Sequence, residues 1–226
     1  MKNIWSVVVM YKSRPNFLKV LGKNAIVVDN SFHNLGYAAG ANRGIRKALA
    51  IGAKWIIVFN QDIELSHSAF IEFCGKLKKT PPGIAGPFAG SLDKKRWTSI
   101  LPAKGDVDYI SGSMMAIHRD VVREVGTFYE PYFMYYEDAE LSARAANAGF
   151  FLTHIPLEVK HAEGSNEYYL ARNHLLFVER NAPVSVKIHE FLRIVKIFYE
   201  HRGRGNLAGE QGVRDYMMRR FGRRDI

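Results

Sequence analysis

Glu137 and Asp138 are adjacent carboxylates at a predicted helix start, directly behind the aromatic run Tyr132-Phe133-Met134-Tyr135-Tyr136. Leu141, Ala145 and Ala148 follow at helical spacing, and Gly149 supplies a stop signal. Acids in a first helical turn meet free N–H groups and the positive end of the helix dipole, which favour the anion. That effect alone accounts for many acidic helix starts. An aromatic wall on one side of the pair and a matching acidic element upstream favour a functional reading over that one.

A second acidic element, Asn60-Gln61-Asp62, follows the apolar run Trp55-Ile56-Ile57-Val58-Phe59. Asp62 could hold a divalent cation, since hard cations favour carboxylate oxygens. A strand-end aspartate also commonly closes a turn, so the residue type leaves both readings open. His161 is a candidate second ligand, followed by the loop Ala162-Glu163-Gly164-Ser165. No His-x-x-x-His spacing occurs, which disfavours zinc. A cation held by so few protein groups completes its shell with substrate phosphates, as Mg or Mn does. The segment Asn34-Leu35-Gly36-Tyr37-Ala38-Ala39-Gly40-Ala41-Asn42-Arg43-Gly44 is small-residued and is expected to approach a ligand closely. It matches neither the Gly-x-Gly-x-x-Gly dinucleotide fingerprint nor a Gly-Lys-Ser/Thr phosphate loop.

The elements that would position these groups are legible in the first half of the chain. Ile4 to Met10, Ala25 to Val28 and Trp55 to Phe59 are continuous apolar runs of the kind found in buried parallel strands. Helical segments are predicted at Pro15–Leu21, Arg43–Ile51 and from Ser66 or Ser68 to Lys78, before the break Pro81-Pro82-Gly83. Alternating strands and helices predict an α/β, Rossmann-like, mostly parallel sheet flanked by helices. Ligands in such sheets bind beyond the carboxyl ends of the strands, where Asp29 and Asp62 both fall. Further on, Val107 to His118 reads as a strand broken by Gly112, with strand near Phe150–His154 and helices at Tyr168–Arg180 and Val184–Tyr199. Ile188, Phe191, Leu192, Val195 and Phe198, with Lys187, Arg193 and Lys196 between them, make the last helix amphipathic and basic. Packing against the domain is the expected fate of that stripe, with membrane contact the alternative.

The chain has 226 residues, enough for one sizeable domain with a C-terminal extension, and a net charge of +10. Arg202, Arg204, Arg214, Arg219, Arg220, Arg223 and Arg224 crowd the end, behind a nearly balanced body. A basic tail of that kind suits membrane lipid, a lipid-linked diphosphate or nucleic acid, or serves only solubility. A single cysteine, Cys74, excludes an internal disulfide and is expected to be a buried, inert thiol. Met1-Lys2-Asn3-Ile4-Trp5 runs directly into a strand-like segment, so no leader peptide is expected, and no apolar run reaches membrane-spanning length.

Several motifs, in order, resemble the family 2 glycosyltransferases, particularly the bacterial rhamnosyltransferase-like members of the GT-A fold. They are Val27-Val28-Asp29-Asn30, Asn34 to Gly44, Phe59-Asn60-Gln61-Asp62-Ile63-Glu64-Leu65, Gly112-Ser113-Met114, Tyr136-Glu137-Asp138-Ala139-Glu140-Leu141 and Tyr168-Tyr169-Leu170-Ala171-Arg172-Asn173. The likeness spans about Ile4 to Asn181, which implies a glycosyltransferase domain over residues 1–181 and a C-terminal amphipathic helix with basic tail over 182–226.

The resemblance implies roles. Asp29, with Tyr11 beside it, would contact the base of a nucleotide-diphosphate sugar; Gly36, Asn42, Asn60 and Gln61 lie in the donor-binding segments, and Arg172 would face the diphosphate. Asp62 and His161 would hold Mg or Mn. Gly112 and Ser113 belong to the loop near donor sugar and acceptor, with Glu137 in support. Asp138 would be the base of a single inverting displacement. The donor would be dTDP-rhamnose or a UDP-hexose. The acceptor would be a hydroxyl of a cell-surface polysaccharide or lipid-linked glycan, in the cytoplasm or peripherally on the inner membrane face. Asn60 stands where relatives carry a first Asp, only Ser31-Phe32-His33 follows Asp29-Asn30, and Met10-Tyr11-Lys12-Ser13 replaces the usual Thr-Tyr-Asn. The rival enzyme class, metal-dependent sugar nucleotidyl transfer, calls for a glycine-rich basic loop that Met10 to Pro15 lacks. A non-catalytic nucleic-acid binder would use the tail but leaves the ordered motifs unexplained.

Overall fold

The computed structural model describes residues 3–161 and 164–224. Met1-Lys2, part of the leader reading, and Ala162-Glu163, part of the loop after His161, lie outside the described residues.

The strands are β1 (Ile4–Met10), β2 (Ala25–Asp29), β3 (Trp55–Phe59), β4 (Ile63–Glu64), β5 (Gly83–Gly86), β6 (Ala89–Leu92), β7 (Ser99–Ile100), β8 (Tyr109–Ile110), β9 (Met114–His118), β10 (Phe151–His154) and β11 (Lys160–His161). The helices are α1 (Gly36–Ala50), α2 (His67–Leu77), α3 (Arg119–Val125), α4 (Glu137–Asn147), α5 (Glu167–Asn181), α6 (Val184–Gly203) and α7 (Leu207–Met217). Six strands form the central sheet in the order β10-β5-β9-β3-β1-β2, with β9 alone reversed. The mostly parallel α/β sheet expected from the buried runs is therefore present. Val7, Ile56 and Val58 point to one apolar layer and Val8, Ile57 and Phe59 to the other, so both faces are covered, as the unbroken apolar strands require.

Most of the small-residued segment expected to approach a ligand is the first half of α1, which begins at Gly36. Its glycines bring the helix close to the sheet. A Cβ on Gly44 would overlap Val7 and one on Gly40 would overlap Val9. The predicted helix at Pro15–Leu21 is a short 3-10 turn, Asn16–Val20. Ser66, not Ser68, caps α2 by accepting from the Ala69 N–H. Cys74 is buried on that helix, and burial pushes its thiol up to about 11.

Behind α4, the fully buried Glu140 takes Arg144 at 2.8 Å and Arg180 at 3.1 Å, which fastens α4 to α5. The sequence beyond Arg202 reads as a tail, but most of it is the helix α7 and a following stretch folded onto α5. Gly212 meets the backbone of Tyr168 and Arg172. Arg219 pairs with Glu179, and Arg224 pairs with the buried Asp215. Much of the terminal arginine cluster is thus spent within the fold. No helix among the described residues is long and apolar enough to cross a membrane.

Candidate active site

A cavity of about 900 Å³ opens at the carboxyl ends of β1 and β3, where the sheet topology places ligands. Tyr11, Gly36, Asn60, Gln61, Asp62, Gly112, Ser113, Glu137, Asp138 and His161 all line it. The chain therefore gathers carboxylates from distant segments around one space.

One wall carries Asp62 and His161. β4 pairs with β11 so that Ile63 sits opposite His161, and this two-strand contact brings the histidine across the fold. Asp62 Oδ1 lies 3.2 Å from His161 Nε2, and Asn60 Nδ2 is also 3.2 Å from that nitrogen. The hydrogen bond to His161 is the main influence holding the Asp62 carboxyl below its usual range, against a smaller effect of burial. Among the described residues no cluster of three His, Cys, Asp or Glu side chains forms, so Asp62 and His161 are a two-ligand set. Carboxylate, imidazole and an amide oxygen available from Asn60 suit Mg or Mn, provided substrate phosphate oxygens fill the remaining positions. Gln61 turns away from this pair: its Oε1 accepts from the Tyr11 N–H at 2.7 Å and so fixes the β1 turn.

Glu137 and Asp138 line the same cavity, and Asp138 and His161 meet the adjacent residues Gly112 and Ser113. Asp138 Oδ2 accepts from the Gly112 N–H and Oδ1 from the Ala139 N–H, each at 2.8 Å. The carboxylate is held in one orientation, with a lone pair left on each oxygen. Gly112 is itself pinned by the Tyr37 hydroxyl, which donates to its carbonyl. The helix start was expected to keep Asp138 ionised. Its N–H groups do pull the carboxyl down, but burial outweighs them and the net displacement is upward. Glu137 is pushed up further, by burial first and by the Asp138 charge second. Its Oε2 is buried without a hydrogen-bond partner, so the surroundings disfavour the anion more strongly at Glu137 than at Asp138, which two N–H groups hold.

The loop before this pair is strained. Phe133, Tyr135 and Tyr136 have φ of 67°, 64° and 71°, and the Met134 N–H closes a tight turn on the Tyr132 carbonyl. Asn173 Nδ2 lies 2.9, 2.7 and 2.9 Å from the carbonyls of Tyr132, Met134 and Tyr135. Asn173 ends the last family motif, yet its sequence gives no hint of which backbone it holds.

Three candidates lie outside the cavity lining. Arg172 does not face a diphosphate: it is fully buried between the Tyr168 and Tyr169 rings and donates to the carbonyls of Pro131, Tyr132 and Gly222. Asn42 is buried on α1, exchanging hydrogen bonds with the backbone of Phe128 and donating to Glu130. Asp29 is exposed at the end of β2, where its Oδ1 accepts from the Ser31 N–H; that residue's hydrogen bonds hold its carboxyl low. The Lys12 N–H donates to Ser31 Oγ, so Asp29 borders the Tyr11 loop at the rim of the site.

No protein-family model matches the chain. It is similar to the N-acetylglucosaminyl-diphospho-decaprenol L-rhamnosyltransferase of Mycobacterium tuberculosis, with 27% identity covering 57% of this chain and 56% of that one. The dTDP-rhamnosyl transferase RfbF of Shigella flexneri is 28% identical, covering 70% of this chain and 64% of its own length. The chain thus spans a little over half the length of these relatives. Among solved structures, the mannosyltransferase PcManGT from Pyrobaculum calidifontis, in complex with GDP-Man and Mn2+, superposes with a TM-score of 0.52 at 12% identity, over 96% of this chain and 74% of that one. GalNAc-T7 with UDP, GalNAc and Mn2+ gives 0.55 at 12% identity, over 78% and 47%. At such identity these two likenesses speak for the fold alone.

Proposed function

We propose that this chain, which has the GT-A glycosyltransferase fold and is rhamnosyltransferase-like in sequence, transfers a sugar from a nucleotide-diphosphate donor with inversion at the anomeric carbon. The observation that carries the proposal is the shared cavity, lined by both the Asp62–His161 pair and the backbone-tethered Asp138. The donor we favour is dTDP-rhamnose, from the names of the rhamnosyltransferase relatives, with a UDP-hexose as the second choice. The acceptor we favour is a hydroxyl of a lipid-linked or cell-surface glycan, met at the inner face of the cytoplasmic membrane.

The residues present divide the work. An acceptor hydroxyl attacks the anomeric carbon from the side opposite the diphosphate; the new C–O bond forms as the bond to the diphosphate oxygen breaks. Asp138 accepts the hydroxyl proton, a contribution of roughly 10²–10⁴-fold in rate. The Gly112 and Ala139 N–H groups keep its carboxylate aimed, and burial makes it a stronger base than a surface aspartate. Glu137 lines the same cavity beside it, in support of the acceptor loop. Asp62 and His161 would hold Mg or Mn, which when bound neutralises charge on the departing diphosphate. Tyr11 and the exposed Asp29 border the rim where a base would lie.

The test is transfer from dTDP-rhamnose and UDP-hexoses, with Mn or Mg, by the wild-type chain and Asp138→Asn. A loss of about 10²-fold or more in turnover with donor binding retained is the expected result. Undiminished transfer by the variant would remove Asp138 from the role of base.

A further inference from the structure

Helix α6 carries two apolar faces, and only one is used by the fold. Val186 and Ile197 are buried against the rest of the chain, with Ile194 and Phe198 beside them. Of the stripe expected from the sequence to pack inward, Phe198 does so, but Ile188, Phe191, Leu192 and Val195 face out: Phe191 is 74% exposed and Leu192 75%, and Val184 (71%) and Tyr199 share that side. The six outward residues recur at i, i+4, i+7, i+8, i+11 and i+15, one continuous line roughly 22 Å long at the helical rise.

The charges around this stripe are one-sided. Lys187 flanks it on one edge and Lys196 on the other, and Arg202 and Arg204 follow in its last turn and just beyond. The two acids of α6 point elsewhere: Glu190 is buried under Arg96 and Arg193, and Glu200 turns toward Arg193 and Lys196. An apolar line fenced by cations with no free acid complements an anionic lipid surface, into which the large side chains insert while the cations meet headgroups. It does not complement a second copy of itself, because a two-fold pairing of stripes would bring cationic edges together with no acid between them.

We infer that α6 is a membrane-docking helix that lies in the plane of an anionic bilayer. This deepens the proposal of a membrane-borne acceptor and rests on that reading for its purpose, but not for its physics. The test is sedimentation of the chain with vesicles of phosphatidylcholine alone or mixed with phosphatidylglycerol. Binding is expected only to the anionic vesicles, weakened by salt and abolished by Phe191→Glu with Leu192→Glu. Lys187→Gln, Lys196→Gln and Arg202→Gln are expected to weaken it by roughly fivefold per cation removed. Absence of binding at low salt, or binding indifferent to these substitutions, overturns the inference. So does a dimer in light scattering that the Phe191/Leu192 pair of substitutions dissolves, which would make the stripe a self-interface. Donor hydrolysis measured without vesicles separates the two proposals: the α6 variants should match wild type, and a wild-type chain that docks on lipid yet turns over no nucleotide sugar overturns the enzymatic reading alone.

Discussion

The side-chain amide of Asn173 reaches the Tyr135 carbonyl at 2.9 Å, one residue before the left-handed Tyr136 and two before the start of α4. Aromatic residues at positive φ cost on the order of 1–3 kcal/mol each, so the run from Phe133 to Tyr136 persists only because its carbonyls are held from behind. Asn173→Ala leaves the Met134 and Tyr135 carbonyls short of a donor, while the Tyr132 carbonyl keeps Arg172 and the Met134 N–H. The expected result is a loss of about 2 kcal/mol or more in stability, at ~1–3 kcal/mol per stranded group, read by chemical denaturation. Turnover should fall further than the unfolded fraction explains, because the Glu137–Asp138 pair is aimed by this loop. A variant equally stable to wild type would show that the strain is imposed by something other than Asn173.

Glu137 gives the stability curve a distinctive sign. Its folded-state pKa is raised well above the ordinary glutamate value, so the native state binds the proton that the unfolded chain releases. Stability from this group is full below the unfolded pKa of about 4.3 and declines as pH rises toward the folded value. Glu137→Gln removes the ionisable group while keeping the shape. Its advantage over wild type is expected to grow from acid to neutral pH in paired denaturation curves. An advantage that shrinks with pH would mean that Glu137 is ionised in the folded chain.

The parts of the site visible in the sequence are those governed by local pattern. Buried strands β1 and β3 are unbroken apolar runs, and α4 carries both an acidic first turn and a helical repeat, so Asp62 and Asp138 were placed at element ends without any tertiary information. Arg172 shows the limit: the family resemblance implies a diphosphate partner, whereas Tyr168, Tyr169 and three carbonyls around it make it an internal brace. His161 reaches Asp62 through two-residue strands, too short to show periodicity. Gly40 and Gly44 read only as small residues near a ligand because their purpose, close approach to Val9 and Val7, is set by a strand far away in sequence. The outward stripe of α6 fails for a related reason, since spacing identifies an apolar face but not what covers it.

Asp62 and His161 are hydrogen-bonded to each other, so a cation entering between them must replace the shared proton. Manganese added together with a nucleoside diphosphate is expected to raise the melting temperature of wild type. Asp62→Asn and His161→Ala should each abolish most of that rise while leaving the ligand-free melting temperature within a few degrees, as both side chains are partly exposed. A full shift in either variant would place the cation elsewhere in the cavity.

Gly212 tests whether the C-terminal helix matters to the site at a distance. A Cβ there would lie 2.3 Å from the Tyr168 carbonyl oxygen and 3.1 Å from the Arg172 N, both backbone atoms that cannot swing aside. Gly212→Ala must therefore push α7 off α5 and strain the stretch beyond it, where the Gly222 carbonyl accepts from Arg172 and the Gly222 N–H donates to Pro131. Overpacking of this kind costs about 1–3 kcal/mol. Because Arg172 also donates to the Tyr132 carbonyl, the displacement should reach the aromatic loop and lower turnover while donor affinity, assigned to Asp62 and His161, stays near wild type. Gly75→Ala is the control, since nothing lies within 4 Å of its missing side chain and its helix, α2, does not line the cavity. Equal turnover in the two variants would confine α7 to a role in stability alone.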